Sequence, residues 1–210
     1  MIYNLKYSNL SNREEILNYL KEKQFKRVLD IGATMAGWSS EYLSHYMDIN
    51  VWTDAKAKGF LGNICSIKTW DQVLEDVEKN GKFDFVICSH TLEDISSPLM
   101  VTEMINKIGL EGFIAVPSKN MELTRYVNGP YLGWVHHRWI YNIQGNEFVA
   151  YPKLNFIESY DWSDITSSFS NDINEICFFW KDNFEIKFTN DDYMGPNVES
   201  VYNYFAGLLG

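Results

Sequence analysis

The sequence predicts an α/β fold built on a doubly wound, mostly parallel sheet. Two observations lead there. Short apolar runs alternate with amphipathic stretches of helix length through residues 1–118, the pattern of βαβ units. The runs are also near-continuously apolar rather than alternating, as in strands covered on both faces. With 210 residues, 46% hydrophobic and 22% charged, the chain suits one domain with a substantial core.

The elements follow in order. Asn12 opens a helix, with Glu15 at capping-box spacing and Ile16, Leu17 and Leu20 on one face. Residues 27–31 form a buried strand that stops at Gly32. A second helix is expected over 38–47, a second strand over 49–53 ending at Asp54, and a weaker strand over 60–64. Residues 70–79 are helical, with Val73, Leu74 and Val77 facing inward. The strongest strand covers 83–88; a helix over 98–108 stops at Gly109, and residues 112–116 form another buried strand. After Pro117 the periodicity weakens and aromatic residues and glycine dominate. Residues 119–165 therefore read as an irregular cap, a substrate insertion within the same domain. Residues 176–180 and 184–189 read as an antiparallel hairpin across Lys181-Asp182-Asn183, and a last helix starts near Val198.

Charge and cysteine content narrow the function. Eighteen Lys and Arg against 28 Asp and Glu leave a formal charge of −10, which argues against nonspecific nucleic-acid binding. Cys65, Cys88 and Cys177 are widely separated and form no CxxC pair, so they read as reduced thiols rather than a disulfide framework or zinc site. The start turns polar too early for a secretory signal, and no run approaches the ~18 apolar residues of a membrane span. A soluble, cytoplasmic protein is expected.

The chemistry is expected where residues 28–31 run into Gly32-Ala33-Thr34-Met35-Ala36-Gly37-Trp38-Ser39. A strand, a glycine turn and a helix build the ligand crevice at the carboxyl edge of such sheets. Gly32 and Gly37 have P-loop spacing, but Trp38 stands in place of the lysine that a triphosphate needs. A dinucleotide fingerprint fails at Thr34, where the middle glycine belongs. S-adenosylmethionine carries no phosphate and needs no anion cradle; Asp30 and Asp54, each ending a strand, suit its cationic end and its ribose.

Residues 25–118 resemble the class I S-adenosylmethionine-dependent methyltransferases. Val28-Leu29-Asp30-Ile31-Gly32 resembles the family's first motif, and Asp54 matches its ribose-binding acidic position. Gly62-Asn63-Ile64 is similar to the element that contacts adenine, with Asn63 replacing the usual aspartate. Residues 83–94, ending Ser89-His90-Thr91-Leu92-Glu93-Asp94, resemble the fourth motif, and Gly109-Leu110-Glu111-Gly112-Phe113-Ile114 the lead into the fifth strand. The resemblance implies a Rossmann-like, seven-stranded sheet whose last strand is antiparallel, and S-adenosylmethionine as cofactor. It places the cofactor against Asp30, Gly32, Ala33, Gly37, Trp38, Asp54, Asn63, Ile64, Ser89 and His90.

The acceptor side is expected at Gly133-Trp134-Val135-His136-His137-Arg138-Trp139, where three basic groups sit between tryptophans. His136, His137 or His90 is the candidate general base for a hydroxyl acceptor, and Arg138 and Arg125 suit a carboxylate or phosphate. Glu93, Asp94, Tyr131 and Trp134 complete the substrate-binding set. The substrate expected is a small polar molecule, such as a sugar or phosphorylated metabolite, methylated on oxygen or nitrogen. A mixed metal site of His90, Glu93 and Asp94 with His136 and His137 is disfavoured, because the adjacent His136 and His137 do not easily converge on one ion; no metal is expected. A non-catalytic binding protein on the same fold and a macromolecular methyl acceptor both stay open.

Overall fold

The computed structural model describes residues 1–53, 56–162, 171–189 and 198–209. Its elements are β1 (Ile2–Ser8), α1 (Glu14–Lys23), β2 (Val28–Ile31), β3 (His45–Asp48), β4 (Lys58–Leu61), α2 (Ile67–Asn80), β5 (Phe83–Ser89), α3 (Pro98–Ile108), β6 (Gly109–Pro117), α4 (Lys119–Glu122), β7 (Trp139–Gln144), β8 (Glu147–Pro152), β9 (Glu175–Lys181), β10 (Lys187–Phe188) and α5 (Val198–Leu209).

The main sheet is Rossmann-like and seven-stranded, in the order β1-β9-β6-β5-β2-β3-β4. Strands β6, β5, β2, β3 and β4 pair in parallel, and β9, the last strand of this sheet along the chain, is antiparallel to both β6 and β1. The centre is the most apolar part: Phe83, Phe85, Val86, Ile87 and Cys88 of β5 are fully buried. One face packs on α2 and α3 through Trp70, Val73, Val101 and Ile105, the other on α1 through Ile16 and Leu20. Both faces are covered, which is why the strands show no polar alternation. Among the described residues no helix is long and apolar enough to cross a membrane.

Four expectations need correction. No helix spans 38–47; a single 3-10 turn, Ser40–Tyr42, precedes β3, which starts at His45. The alternating run at 49–53 is not the second strand, because Ile49 and Val51 are 72% and 67% exposed while Tyr46 and Met47 fill the core. Glu15 does not turn back to cap α1: it binds Asn4 and Lys6 of β1, an edge strand absent from the sequence reading. Residues 176–189 form no hairpin either. Both edges of β9 are already taken, by β6 and β1, so the chain leaves the sheet and β10 pairs in parallel with β8 instead.

The aromatic segment after β6 is more regular than its composition suggests. Strands β7 and β8 form an antiparallel pair, and with β10 they make a three-stranded sheet. Its inner residues Tyr141, Phe148 and Ala150 share a core with Phe178 and Trp180 of the main sheet. Its outer residues Ile140, Val149 and Tyr151 pack with Leu123, Leu132, Ile157 and Trp162, flanked by Tyr202 of α5.

Candidate functional site

Parallel strands deliver their carboxyl ends to one edge of the sheet, and the turn after each strand lines that edge. After β2 the chain turns sharply at Gly32, whose φ is +72°. A Cβ there would lie 2.2 Å from Thr91 Oγ1, so the close approach of this turn to the loop after β5 requires glycine. The loop closes through Gly37 N–H to Thr34 O (2.8 Å), and Ser39 Oγ donates to Asp30 Oδ2 (2.5 Å). Burial pushes the Asp30 carboxyl up to about 7, against the lowering pull of the Ser39 hydroxyl. Asp30 thus organises the loop from beneath. Ala33 is buried, and Trp38 packs edge-on to Phe113 with the Arg13 guanidinium over its ring; both anchor the loop in the core.

Beside this turn lies a crevice of about 240 Å³ lined by Gly32, Asp48, Asn63, Ile64, His90 and Asp94, among others. Asp48 ends β3, is half-buried, and accepts from Asn50 N–H through Oδ1 (2.7 Å). Sequence reasoning missed it because the second strand was placed several residues too late; Asp54 lies outside the described residues. Asn63 accepts from Cys65 N–H (2.8 Å), and Ser89 ends β5 with its carbonyl bound to Thr91 Oγ1 (3.3 Å).

His90 is held between two buried glutamates. Its Nε2 lies 2.7 Å from Glu175 and its Nδ1 3.3 Å from Glu93. Arg13 grips the same Glu175 with two hydrogen bonds, at 2.9 and 2.6 Å. Burial disfavours the imidazolium, but the hydrogen bonds that the ring donates to Glu175 and Glu93 outweigh it and raise His90 to about 9. Both ring nitrogens are thus engaged by carboxylates. His90 lines the crevice beside Gly32, Asn63 and Asp94. The Glu93 side chain is buried, and its backbone carbonyl accepts from Arg138 N–H (2.6 Å).

This pairing has a measurable pH signature. The folded value lies above the ordinary 6.5, so the stabilisation is complete below pH 6.5 and disappears as pH rises through about 9. Urea midpoints should fall across that window in the wild type, and His90→Gln should remove this fall. A wild-type profile indistinguishable from the variant's would refute a charged His90.

On the cap side a turn over residues 134–137, closed by His137 N–H to Trp134 O (3.1 Å), folds two adjacent imidazoles toward one carboxylate. His136 Nε2 and His137 Nε2 each lie 3.5 Å from Asp94 Oδ1. Contrary to the expectation from spacing, the neighbours converge. Behind them Glu122, fully buried, accepts from His137 Nδ1 (2.7 Å) and from Lys153 Nζ (2.6 Å). The Glu122 carboxylate accepts from Nδ1–H, which leaves Nε2 as the ring atom that faces Asp94. Trp134 packs against both rings.

The remaining expected contacts divide. Arg125 is tied to the backbone carbonyls of Glu158 (2.6 Å) and Tyr160 (3.2 Å) and pairs with the Glu158 carboxylate, so it braces the cap. Tyr131 is 47% exposed. The Arg138 side chain is exposed and has no ion pair among the described residues.

No protein-family model matches the chain, and no curated protein does. Among solved structures it is similar to the N-terminal domain of EvdMO1 with SAH bound, at 10% identity over 81% of each chain and a TM-score of 0.43. It is also similar to a cyclopropane-fatty-acyl-phospholipid synthase-like protein from Lactobacillus casei, at 10% identity over 83% of this chain and 95% of that one, with a TM-score of 0.34. A third is the MycE methyltransferase from the mycinamycin biosynthetic pathway in complex with Mg and SAH, at 12% identity over 96% of this chain and 56% of that one, with a TM-score of 0.36.

Proposed function

We propose that this chain transfers a methyl group from S-adenosylmethionine to a small polar acceptor, a sugar or phosphorylated metabolite hydroxyl. It does so as a single domain in which residues 119–165 cap the acceptor. The observation that supports this most is the meeting, at one crevice, of Gly32, Asp48, Asn63 and His90 from the ends of four parallel strands. The residues present suit the cofactor. The glycine turn leaves no room for a side chain where Thr91 meets the loop, and Asp48 stands at a strand end where a carboxylate can take two ribose hydroxyls.

When bound, the cofactor supplies an electrophilic methyl on a positively charged sulfur. The chain's own contribution is positioning. Asp48 and Asn63 hold the nucleoside end, the loop pinned by Asp30 and Ser39 shapes the floor, and His90 closes one wall. The acceptor lies toward Asp94, His136 and His137, with Trp134 beside them and Arg138 free to reach a carboxylate or phosphate. The reading places the reaction in the cytoplasm, where the three free cysteines stay reduced.

Millimolar S-adenosylmethionine or its demethylated product should raise the melting temperature, because a ligand of the native state stabilises it by mass action. Methyl transfer should then be found on a panel of sugars and sugar phosphates. Absence of any thermal shift would overturn the reading. A shift without turnover on any acceptor would favour a binding protein, an outcome to which the missing helix after the glycine loop lends weight.

A further inference from the structure

The geometry points to a divalent-metal site formed by Asp94, His136 and His137, suited to a borderline ion such as Zn²⁺ and open toward the crevice. Among the described residues these three bring one ligand atom each within 4.8 Å of one another. Both imidazole Nε2 atoms stand 3.5 Å from Asp94 Oδ1. Ligands at the usual ~2.0–2.1 Å from a tetrahedral zinc are about 3.3 Å apart; the two Nε2–Oδ1 distances already match this, and the remaining pair, within 4.8 Å, closes by rotation of the exposed His136 ring. The two rings are nearly perpendicular, at 79°, and so approach the shared point from different directions.

An independent observation is the support behind His137. Glu122 is fully buried, holds Nδ1 at 2.7 Å and is itself gripped by Lys153. This carboxylate–histidine arrangement is the one that fixes the tautomer of metal-binding imidazoles and raises their basicity. Its result is that Nε2 is the ring atom turned toward the cluster.

The donor set selects the ion. Mg²⁺ and Ca²⁺ prefer oxygen ligands throughout, whereas two imidazoles and a carboxylate favour Zn²⁺, Co²⁺ or related ions. Three protein ligands leave a fourth position open, as in catalytic rather than structural zinc sites. Asp94 lines the crevice and the His136 side chain is 54% exposed, so that position is reachable from solvent. An acceptor hydroxyl seated there would be oriented and made more acidic. That use of the ion rests on the methyltransferase reading; binding of the ion does not.

The test uses the full chain stripped with chelator and dialysed. Isothermal titration should show one equivalent of Zn²⁺, and Co²⁺ should give the visible d–d absorption of a tetrahedral N/O site. Asp94→Asn and His136→Ala alter exposed side chains and should fold; each should weaken Zn²⁺ binding at least about tenfold and change the cobalt spectrum. Glu122→Gln should weaken it about 10–100-fold without removing a ligand. Cys65→Ser should change nothing. Binding of less than one equivalent, titrations unaffected by Asp94→Asn and His136→Ala, or Mg²⁺ competing on equal terms would each overturn the site. Thermal shifts with the demethylated cofactor, measured without metal, report separately on the methyltransferase reading.

Discussion

Glu175→Ala is expected to destabilise the fold by about 3–5 kcal/mol, the cost of removing one partner from a buried ion pair. Glu175 is fully buried and bridges Arg13 at 2.6 Å and His90 at 2.7 Å. Its removal leaves an imidazolium and a guanidinium facing each other with Glu93 as the remaining counter-charge. At roughly 2–4 °C per kcal/mol for a chain of this size, the melting temperature should fall by about 6–20 °C. Burial alone would push the Glu175 carboxyl up; His90 and Arg13 outweigh this and hold it below the usual glutamate range. That stabilisation is therefore present above about pH 4.5 and is lost as pH falls through the depressed value. A double variant, Arg13→Met with Glu175→Leu, should recover part of the loss, since the guanidinium is removed with its partner and His90 keeps Glu93. A loss under about 1 kcal/mol for Glu175→Ala would show that the pair is a surface-like interaction despite its burial.

Asp48→Ala should weaken binding of S-adenosylmethionine and its product by about 10–100-fold, the range for a charge-assisted hydrogen bond lost to a ligand. Asp48 is half-buried and its Oδ1 already holds Asn50 N–H, so the side chain is oriented before any ligand arrives. Asp54→Ala, the substitution that the sequence pattern singles out, should have a smaller effect. Titration calorimetry of both variants decides between them. Loss of binding in Asp54→Ala with Asp48→Ala unaffected would mean that the end of β3 is not the ribose site.

The difference between these two aspartates shows where sequence patterns stop. Residues 83–88 and 98–108 were legible because burial on both faces, or one amphipathic face closed by Pro98 and Gly109, leaves its trace locally. Residues 45–53 were not. His45, Tyr46 and Met47 are mixed in polarity yet buried, with His45 stacked on Phe60, while the better strand pattern at Ile49 and Val51 faces solvent. Pairing with β2 on one side and β4 on the other selects the register, and neither partner is near in sequence.

The chain's own pattern determined the α/β class, the central strands and the glycine turn at Gly32. These depend on local periodicity or on motifs a few residues long. Only the tertiary structure decided which charges are spent on one another. Glu175 meets His90 across 85 residues and Arg13 across 162, and Glu122 reaches Lys153 across 31. A buried carboxylate and a solvated one look alike in sequence, because the difference lies in partners that the fold brings from elsewhere. For the same reason His90 is engaged and His136 and His137 converge on Asp94: a ring nitrogen's availability is set by what packs against it.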